Sequence, residues 1–162
     1  MAATADEAQR AEPVPWWASF PEPKASCPRL EPADVMQLLE SQSHLSAPKD
    51  VTFLLVDVRR TDWEGGTLAT SINLPAHSLY QTRPIIHQLC KQAGIKTIIF
   101  YCGSSSGRGP RCAGWMQDYL DQVKEVEVRA AVLKGGISGW QKAYGGRMMD
   151  WYDEKYWVER DS

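Results

Sequence analysis

The residues best suited to chemistry lie in one short segment, Tyr101 to Trp115, which reads YCGSSSGRGPRCAGW. In this segment Cys102 begins a run of Gly and Ser residues, and Arg108 closes the run six positions later. Small residues leave backbone N–H groups free to converge on an anion, and the start of a following helix adds the positive end of its dipole. Such a field favours a cysteine thiolate over the thiol. The segment therefore predicts a nucleophilic cysteine in an anion-binding loop.

The flanking sequence predicts that Cys102 lies between a strand and a helix. GIKTIIFY before the loop is strand-like, and RCAGWMQDYLDQV after it is helix-like. Other predicted strands are FLLVDV, SINLP and VEVRAAVL, and other predicted helices are EPADVMQLLES, TRPIIHQLCKQAG and GISGWQKAYGG. Short apolar strands separated by helices predict an α/β fold with a largely parallel sheet. Ligands of such folds bind at the carboxyl ends of the strands, where Cys102 falls.

Composition excludes several classes of function. The chain has 162 residues, enough for one domain, and 18 basic against 20 acidic residues give a net charge of -2, which argues against nucleic-acid binding. The longest apolar runs, FLLV and TIIFYC, are far shorter than the ~18 residues of a membrane-spanning helix. The start, MAATADEAQRAEP, does not resemble a targeting peptide. We expect a cytoplasmic protein, with the nucleus as the alternative.

The cysteines predict free thiols. Cys27, Cys90, Cys102 and Cys112 show neither C-x-x-C spacing nor a secretory context, which argues against a disulfide framework and against a zinc site. We therefore expect no metal and no bound cofactor. Cys90 is expected to be a small buried residue of an amphipathic helix.

Both ends of the chain carry aromatic residues outside the predicted domain. Five prolines break up residues 1–29, which we interpret as an arm, and the domain is expected over residues 30–146. Trp16 and Trp17 are expected to dock on the body of the chain or, alternatively, to form a dimer or partner contact. Residues 147–162 form an aromatic extension with near-helical spacing, expected to face the core. The two ends either meet over one edge of the domain or form a homodimer contact.

Two further segments carry a family resemblance. DVRRTDWEGGTLATSINLPA and LKGGISGW resemble the first and last signatures of rhodanese-like domains, with Cys102 at the expected distance between them. The resemblance covers roughly Leu30 to Gly146. It implies a three-layer fold in which helices flank a central, mostly parallel five-stranded sheet and the cysteine loop cradles the substrate.

The length of the loop resembles one branch of this family. Sulfurtransferases generally have a loop one residue shorter, whereas C-x(5)-R followed by Gly109 and Pro110 resembles the M-phase inducer phosphatases and fungal arsenate reductases. A tetrahedral oxyanion needs a wider nest than one sulfur atom, and the planar guanidinium of Arg108 can grip two of its oxygens. The resemblance implies catalytic roles for Cys102 and Arg108 and a small oxyanion as ligand.

The sequence departs from the phosphatase pattern at three positions. Tyr101 stands where these phosphatases usually have His, and Gly103 and Gly107 stand where they carry acids. The loop therefore offers no proton donor for a leaving group. Arsenate reductases, by resemblance, manage without loop acids and rely on an external thiol such as glutathione, glutaredoxin or thioredoxin, which favours oxyanion reduction.

Two other functions stay open beside a phosphatase or an arsenate reductase. A sulfurtransferase would accept sulfur from a donor such as thiosulfate and carry it as a persulfide on Cys102. A regulatory module would bind without turnover, but inactive modules of this family commonly lack the cysteine. Oxyanion chemistry is the preferred interpretation.

Several further residues are candidates for a role in the site, and most of them have a structural explanation as well. The residues expected to bind the substrate are Gly103, Ser104, Ser105, Ser106 and Gly107. The three serines supply hydroxyls to the substrate or are there for their small size. Arg111 is a second cation for the anion or a surface residue of the first helical turn. Asp57 bonds the loop or braces an arginine such as Arg59. Cys112 resolves an oxidised or arsenic-bound intermediate, or is a buried helix residue. Gly135 and Gly136 form a turn after the last strand.

Overall fold

A five-stranded parallel sheet forms the centre of the protein, which a computed structural model describes for residues 13–43, 47 and 50–162. Its strands are β1 (Arg29–Leu30), β2 (Phe53–Asp57), β4 (Ile72–Asn73), β5 (Thr97–Tyr101) and β6 (Arg129–Leu133). They lie in the order β1-β6-β5-β2-β4, and each neighbouring pair is parallel. A separate antiparallel pair joins β3 (Thr67–Leu68) to β7 (Met149–Asp150). The predicted α/β fold with a parallel sheet is confirmed.

Helices cover both faces of the central sheet. They are α1 (Pro32–Gln42), α2 (Ala76–Ala93), α3 (Arg108–Gln122), α4 (Gly136–Tyr144) and α5 (Glu154–Asp161), preceded by a 3-10 helix at Trp16–Ser19. Alternate residues of a strand point to opposite faces. Ile98 of β5 accordingly joins a core cluster with α2 and α3, and its neighbour Ile99 joins a second cluster with α1, α4 and α5. The result is the three-layer arrangement that the sequence predicts.

Helix α2 begins six residues before the predicted start at Thr82, and Pro84 lies inside it. A proline has no N–H to offer the carbonyl four residues earlier, here that of Tyr80. The side chain of Arg83 replaces the missing donor, because its Nε donates to the Tyr80 carbonyl at 2.8 Å. The helix ends before Gly94, as predicted, and this glycine adopts the left-handed conformation with φ 74°.

The two aromatic ends of the chain lie on opposite faces of the sheet. Trp16 and Trp17 pack against the cluster of α2 and α3, so they dock on their own chain as expected. Trp157 is buried in the other cluster, and its Nε1 donates to the carbonyl of Gly65 at 2.9 Å. Trp151 is 83% exposed, so this member of the predicted aromatic stripe does not face the core. The expectation that the two ends meet over one edge is therefore wrong.

The predicted arm includes residues 1–12, which lie outside the described residues, as does most of the segment searched for a targeting peptide. Among the helices that the structure describes, none combines the length and the apolar character needed to cross a membrane.

Candidate active site

The loop of Cys102 lies at the carboxyl edge of the central sheet, between the end of β5 and the start of α3. The first N–H groups of α4 hold its backbone. Ile137 donates to the Cys102 carbonyl at 3.0 Å, and Ser138 donates to the Gly103 carbonyl at 2.9 Å. Gly136 makes this approach possible, because a Cβ there would lie 2.5 Å from the Cys102 carbonyl oxygen. The turn predicted at Gly135 and Gly136 thus fixes the shape of the loop.

The sulfur of Cys102 accepts a backbone hydrogen bond from the helix that follows it. The N–H of Gly109, in the first turn of α3, donates to Sγ at 3.3 Å. The thiol side chain is nearly closed to solvent, with the residue 3% exposed. The sulfur thus lies at the N-terminus of α3 with a backbone N–H directed at it.

Ser105 has a different position from its two neighbouring serines. It is buried, its φ is 54°, and its Oγ accepts the Cys102 N–H at 3.3 Å. Arg29, at the start of β1, donates to the Ser105 carbonyl at 3.3 Å. Ser104 and Ser106 are exposed and their hydroxyls bond each other at 2.7 Å. The structure thus gives Ser105 a role inside the loop and leaves Ser104 and Ser106 at the surface where a ligand would bind.

The guanidinium of Arg108 is held by a carboxylate from another loop. Nη1 donates to Asp62 Oδ1 at 2.8 Å and Nη2 donates to Oδ2 at 2.6 Å. These hydrogen bonds hold the pKa of Asp62 well below its ordinary range and raise that of Arg108. Since a guanidinium has five N–H groups, an ion pair that uses two leaves donors for an oxyanion.

The cavity beside the sulfur has a volume of about 230 Å³. Its wall combines the loop with the arm: Cys102, Ser104, Ser106, Gly107, Arg108, Arg111, Trp16 and Trp17. A larger groove of about 540 Å³ lies between the arm and helices α2 and α3, and no residue of the loop lines it. Of these two cavities, the smaller one adjoins the sulfur and Arg108, so it is the candidate active site.

Arg111 lines this cavity, but its charge is already paired. It donates to both oxygens of Glu22, at 3.1 and 3.0 Å, and its guanidinium lies 4.6 Å from the ring centre of Trp17. The predicted second cation is therefore paired with a carboxylate of the arm, as Arg108 is paired with Asp62. Arg111 joins the arm to the rim of the cavity.

Asp57 braces an arginine and does not bond the anion loop. Its carboxylate accepts from Nε and Nη2 of Arg59, at 3.1 and 2.8 Å, and both side chains are buried. Thr67 also donates to Asp57, at 2.8 Å, and bonds the hydroxyl of Tyr101 at 2.7 Å. Burial and the charge of Asp57 raise the pKa of Tyr101. The residue that stands where the phosphatases have His is thus an internal anchor of β5.

The other three cysteines are unlike Cys102. Cys112 is fully buried in the core, where desolvation raises its thiol pKa, which favours the buried-residue reading over that of a resolving thiol. Burial also raises the pKa of Cys90 to about 11, and burial with Asp118 and Asp121 raises that of Cys27 to about 11. All four cysteines are free. Within the described ranges no group of three His, Cys, Asp or Glu side chains is placed to hold a metal ion.

Sequence reasoning missed Asp62 and the contribution of the arm to the cavity. Asp62 follows β2 by five residues, and β2 is the parallel neighbour of β5. The carboxyl ends of parallel strands share one edge of a sheet. The position of Asp62 soon after β2 could therefore have indicated that it lies near the Cys102 loop. Nothing in the spacing of Trp16 and Trp17 indicates which surface they cover.

Comparison with known proteins places the chain among rhodanese-like proteins. The family described as Rhodanese-like domain matches residues 32–143. The chain is 32% identical over 124 residues to the CDC25-like phosphatase YCH1 of Saccharomyces cerevisiae, an alignment that covers 72% of this chain and 82% of that protein. It is also 32% identical over 96 residues to arsenate reductase 2.2 of Oryza sativa subsp. japonica, covering 57% of this chain and 72% of the relative.

Two solved structures are similar to this chain in fold. Yeast Ygr203w, described as a protein tyrosine phosphatase of the Rhodanese family, superposes with a TM-score of 0.67 at 29% identity, covering 82% of this chain and 98% of that one. The As-Sb reductase of Leishmania major also gives a TM-score of 0.67, covering 76% of this chain and 84% of the other. Its identity is 21%, so this match supports the fold alone.

Proposed function

Because the chain belongs to the rhodanese-like domain family, we propose that it is a cysteine enzyme that acts on a tetrahedral oxyanion, either a phosphatase or an arsenate reductase. The observation that carries the proposal is the bond from the Gly109 N–H to Cys102 Sγ at 3.3 Å, in a loop closed by Arg108. The sulfur is the nucleophile, and the loop amides and the remaining Arg108 donors bind the oxyanion.

As a phosphatase, the enzyme would work in two displacements. The Cys102 thiolate attacks phosphorus, the bond to the leaving oxygen breaks, and that oxygen takes a proton from solvent. Water then attacks the phosphocysteine, which releases inorganic phosphate and restores the thiolate. Arg108 and the loop amides hold the three equatorial oxygens in both steps.

As an arsenate reductase, the same thiolate would displace one arsenate oxygen as water. A second thiol, such as glutathione, attacks the sulfur of the adduct. Arsenic leaves as As(III) with two electrons, and the two thiols become a mixed disulfide. Glutaredoxin, thioredoxin or another thiol then reduces this disulfide. These partners, and a cytoplasmic location that supplies them, are part of the proposal.

Parallel assays of one purified sample test the proposal. The substrates are 4-nitrophenyl phosphate, arsenate with glutathione and glutaredoxin, and thiosulfate with cyanide. We expect at least one oxyanion reaction to exceed thiosulfate-to-cyanide transfer in kcat/KM, and Cys102→Ser to abolish it. Arg108→Lys keeps one charge but loses the planar fork, so the barrier should rise by roughly 2–3 kcal/mol. Sulfur transfer without either oxyanion reaction would instead establish a sulfurtransferase.

A further inference from the structure

Two arginines of the described chain line the cavity beside Cys102, and each is paired with a carboxylate from another segment. Arg108 is paired with Asp62, in the loop that follows β2. Arg111 is paired with Glu22, in the arm. An anion that enters the cavity therefore meets two cations that already have a negative partner. The geometry of the two pairs indicates which of them can exchange its carboxylate for the anion.

The pair of Arg111 and Glu22 has the weaker geometry. A single nitrogen, Nη1 of Arg111, donates to both carboxylate oxygens, at 3.1 and 3.0 Å. Arg108 instead presents two nitrogens to two oxygens, at 2.8 and 2.6 Å, which is the stronger, parallel form of such a pair. The Glu22 side chain is 74% exposed and that of Asp62 is 51% exposed. Exposed ion pairs contribute little free energy, so Arg111 is the arginine that can change its partner.

The backbone of the arm is fastened on both sides of Glu22. Trp115 Nε1 donates to the Pro21 carbonyl at 2.8 Å, and the Lys24 N–H donates to Asp118 at 2.8 Å. Neither contact involves the Glu22 carboxylate. The exchange therefore needs only a rotation of the Glu22 side chain into solvent, and the arm stays in place beside α3.

Two indole rings hold Arg111 independently of Glu22. The guanidinium lies 4.6 Å from the ring centre of Trp17 and 5.9 Å from that of Trp115. An aromatic face attracts a guanidinium within about 6 Å of its centre. Since Trp17 and Arg111 both line the cavity, the rings keep the freed cation at the cavity wall. An oxyanion with two negative charges attracts this cation more strongly than one exposed carboxylate does.

We propose that Glu22 is an internal competitor of the oxyanion: an anion that enters the cavity displaces Glu22 from Arg111 and takes this guanidinium as its second cationic ligand. The inference rests on the proposed function and adds a contact through which the arm limits the affinity of the site. Glu22 precedes residues 32–143, the part of the chain that the family model matches. A singly charged anion gains less from the exchange than a doubly charged one, so the contact also favours dianions.

The test measures the binding of inorganic phosphate to the full chain by calorimetry. The variants are Glu22→Gln, Arg111→Gln and the double substitution, which together form a double-mutant cycle. Glu127→Gln is the matched control, because it removes the same charge, its side chain is 69% exposed and it is paired with Lys91. Glu127 precedes β6, so it lies at the edge of the sheet opposite the Cys102 loop.

We expect Glu22→Gln to bind phosphate about threefold more tightly than wild type, on the scale of an exposed ion pair. Arg111→Gln should bind it about tenfold more weakly, on the scale of a charged hydrogen bond. In the Arg111→Gln background the Glu22 substitution should have little effect, because the cation that it frees is absent. The control should match wild type.

Equal tightening in both backgrounds, or in the control, would reveal a general effect of charge and would overturn the exchange. Unchanged binding in Glu22→Gln would overturn it as well. If Arg111→Gln does not fold, the comparison of Glu22→Gln with the control decides.

Turnover of 4-nitrophenyl phosphate, and of arsenate with glutathione and glutaredoxin, is measured on the same samples. The expected binding pattern without any oxyanion turnover would refute the proposed function and leave the exchange intact. Turnover together with equal phosphate affinity in wild type and Glu22→Gln would refute the exchange and leave the proposed function intact.

Discussion

Arg108 and Asp62 form a bidentate ion pair across 46 residues of sequence, Nη1 to Oδ1 at 2.8 Å and Nη2 to Oδ2 at 2.6 Å. Arg108 lines the cavity beside Cys102, whereas Asp62 is not among the described residues that line this cavity. The carboxylate thus holds the arginine in place from outside the ligand space. Asp62 is a positioning residue that acts through Arg108.

Replacing Asp62 should weaken oxyanion turnover without unfolding the protein. In Asp62→Asn the guanidinium loses its charged partner and samples other rotamers, so we expect kcat/KM to fall about tenfold, on the scale of a charged hydrogen bond. Asp62→Glu should restore part of the loss. Asp121→Asn, which removes the similarly exposed pair with Arg129, serves as the control. A loss of kcat/KM no larger than in this control would mean that Asp62 does not position Arg108 for turnover.

Ser105 should matter more than the serines on either side of it. Its hydroxyl accepts the Cys102 N–H, whereas Ser104 and Ser106 bond each other at the surface. Ser105→Ala leaves a buried N–H without its acceptor, which costs about 1–3 kcal/mol. We expect lower stability in urea and lower kcat for Ser105→Ala, with Ser104→Ala and Ser106→Ala close to wild type. Equal effects of the three substitutions would contradict the role given to the Ser105 hydroxyl inside the loop.

Gly136 should be intolerant of any side chain. Its φ is 59°, and an added Cβ would lie 2.5 Å from the Cys102 carbonyl oxygen and 2.6 Å from that of Gly103. Gly94→Ala is the matched control, because φ there is 74° and nothing lies within 4 Å of the added Cβ. We expect the control to lose about 1–2 kcal/mol of unfolding free energy from the positive φ alone. Gly136→Ala should lose more and should also lose activity; equal losses would contradict the clash.

Glu125 should contribute stability that depends on pH. The hydrogen bond from His87, the Glu127 N–H and Lys91 lower its pKa to about 2. Because the folded pKa lies below the ordinary carboxyl value of about 4.3, the contribution is complete above that value and disappears as the pH falls towards 2. The melting temperature of Glu125→Gln should therefore lie below that of wild type at pH 7 and approach it near pH 2. A difference in melting temperature that stays the same from pH 7 to pH 2 would contradict the lowered pKa of Glu125.

The sequence predicts the position of the loop better than its surroundings. Cys102 and Arg108 lie between a strand and a helix as predicted, because the loop is local and both elements flank it directly. Their catalytic roles stay a prediction. Asp62 is remote in sequence, and its contact depends on how two strands pair. The start of α2 was missed because a proline usually lies near the start of a helix, whereas here Pro84 lies inside one and the Arg83 side chain donates to the carbonyl that the proline leaves without a donor. The surface under Trp16 and Trp17 depends on tertiary packing, which no local pattern reveals.

The most direct test of the account is the alkylation of the four thiols by iodoacetamide at neutral pH, with and without arsenate or phosphate. The Gly109 N–H donates to the sulfur of Cys102, which lines the candidate active site, whereas burial raises the thiol pKa of Cys27, Cys90 and Cys112. Peptide mapping should therefore show Cys102 reacting first, with at least one of the oxyanions slowing its reaction and not that of Cys27. Faster reaction of Cys27 or Cys90, or a Cys102 rate that neither ion changes, would contradict an oxyanion-binding cysteine site.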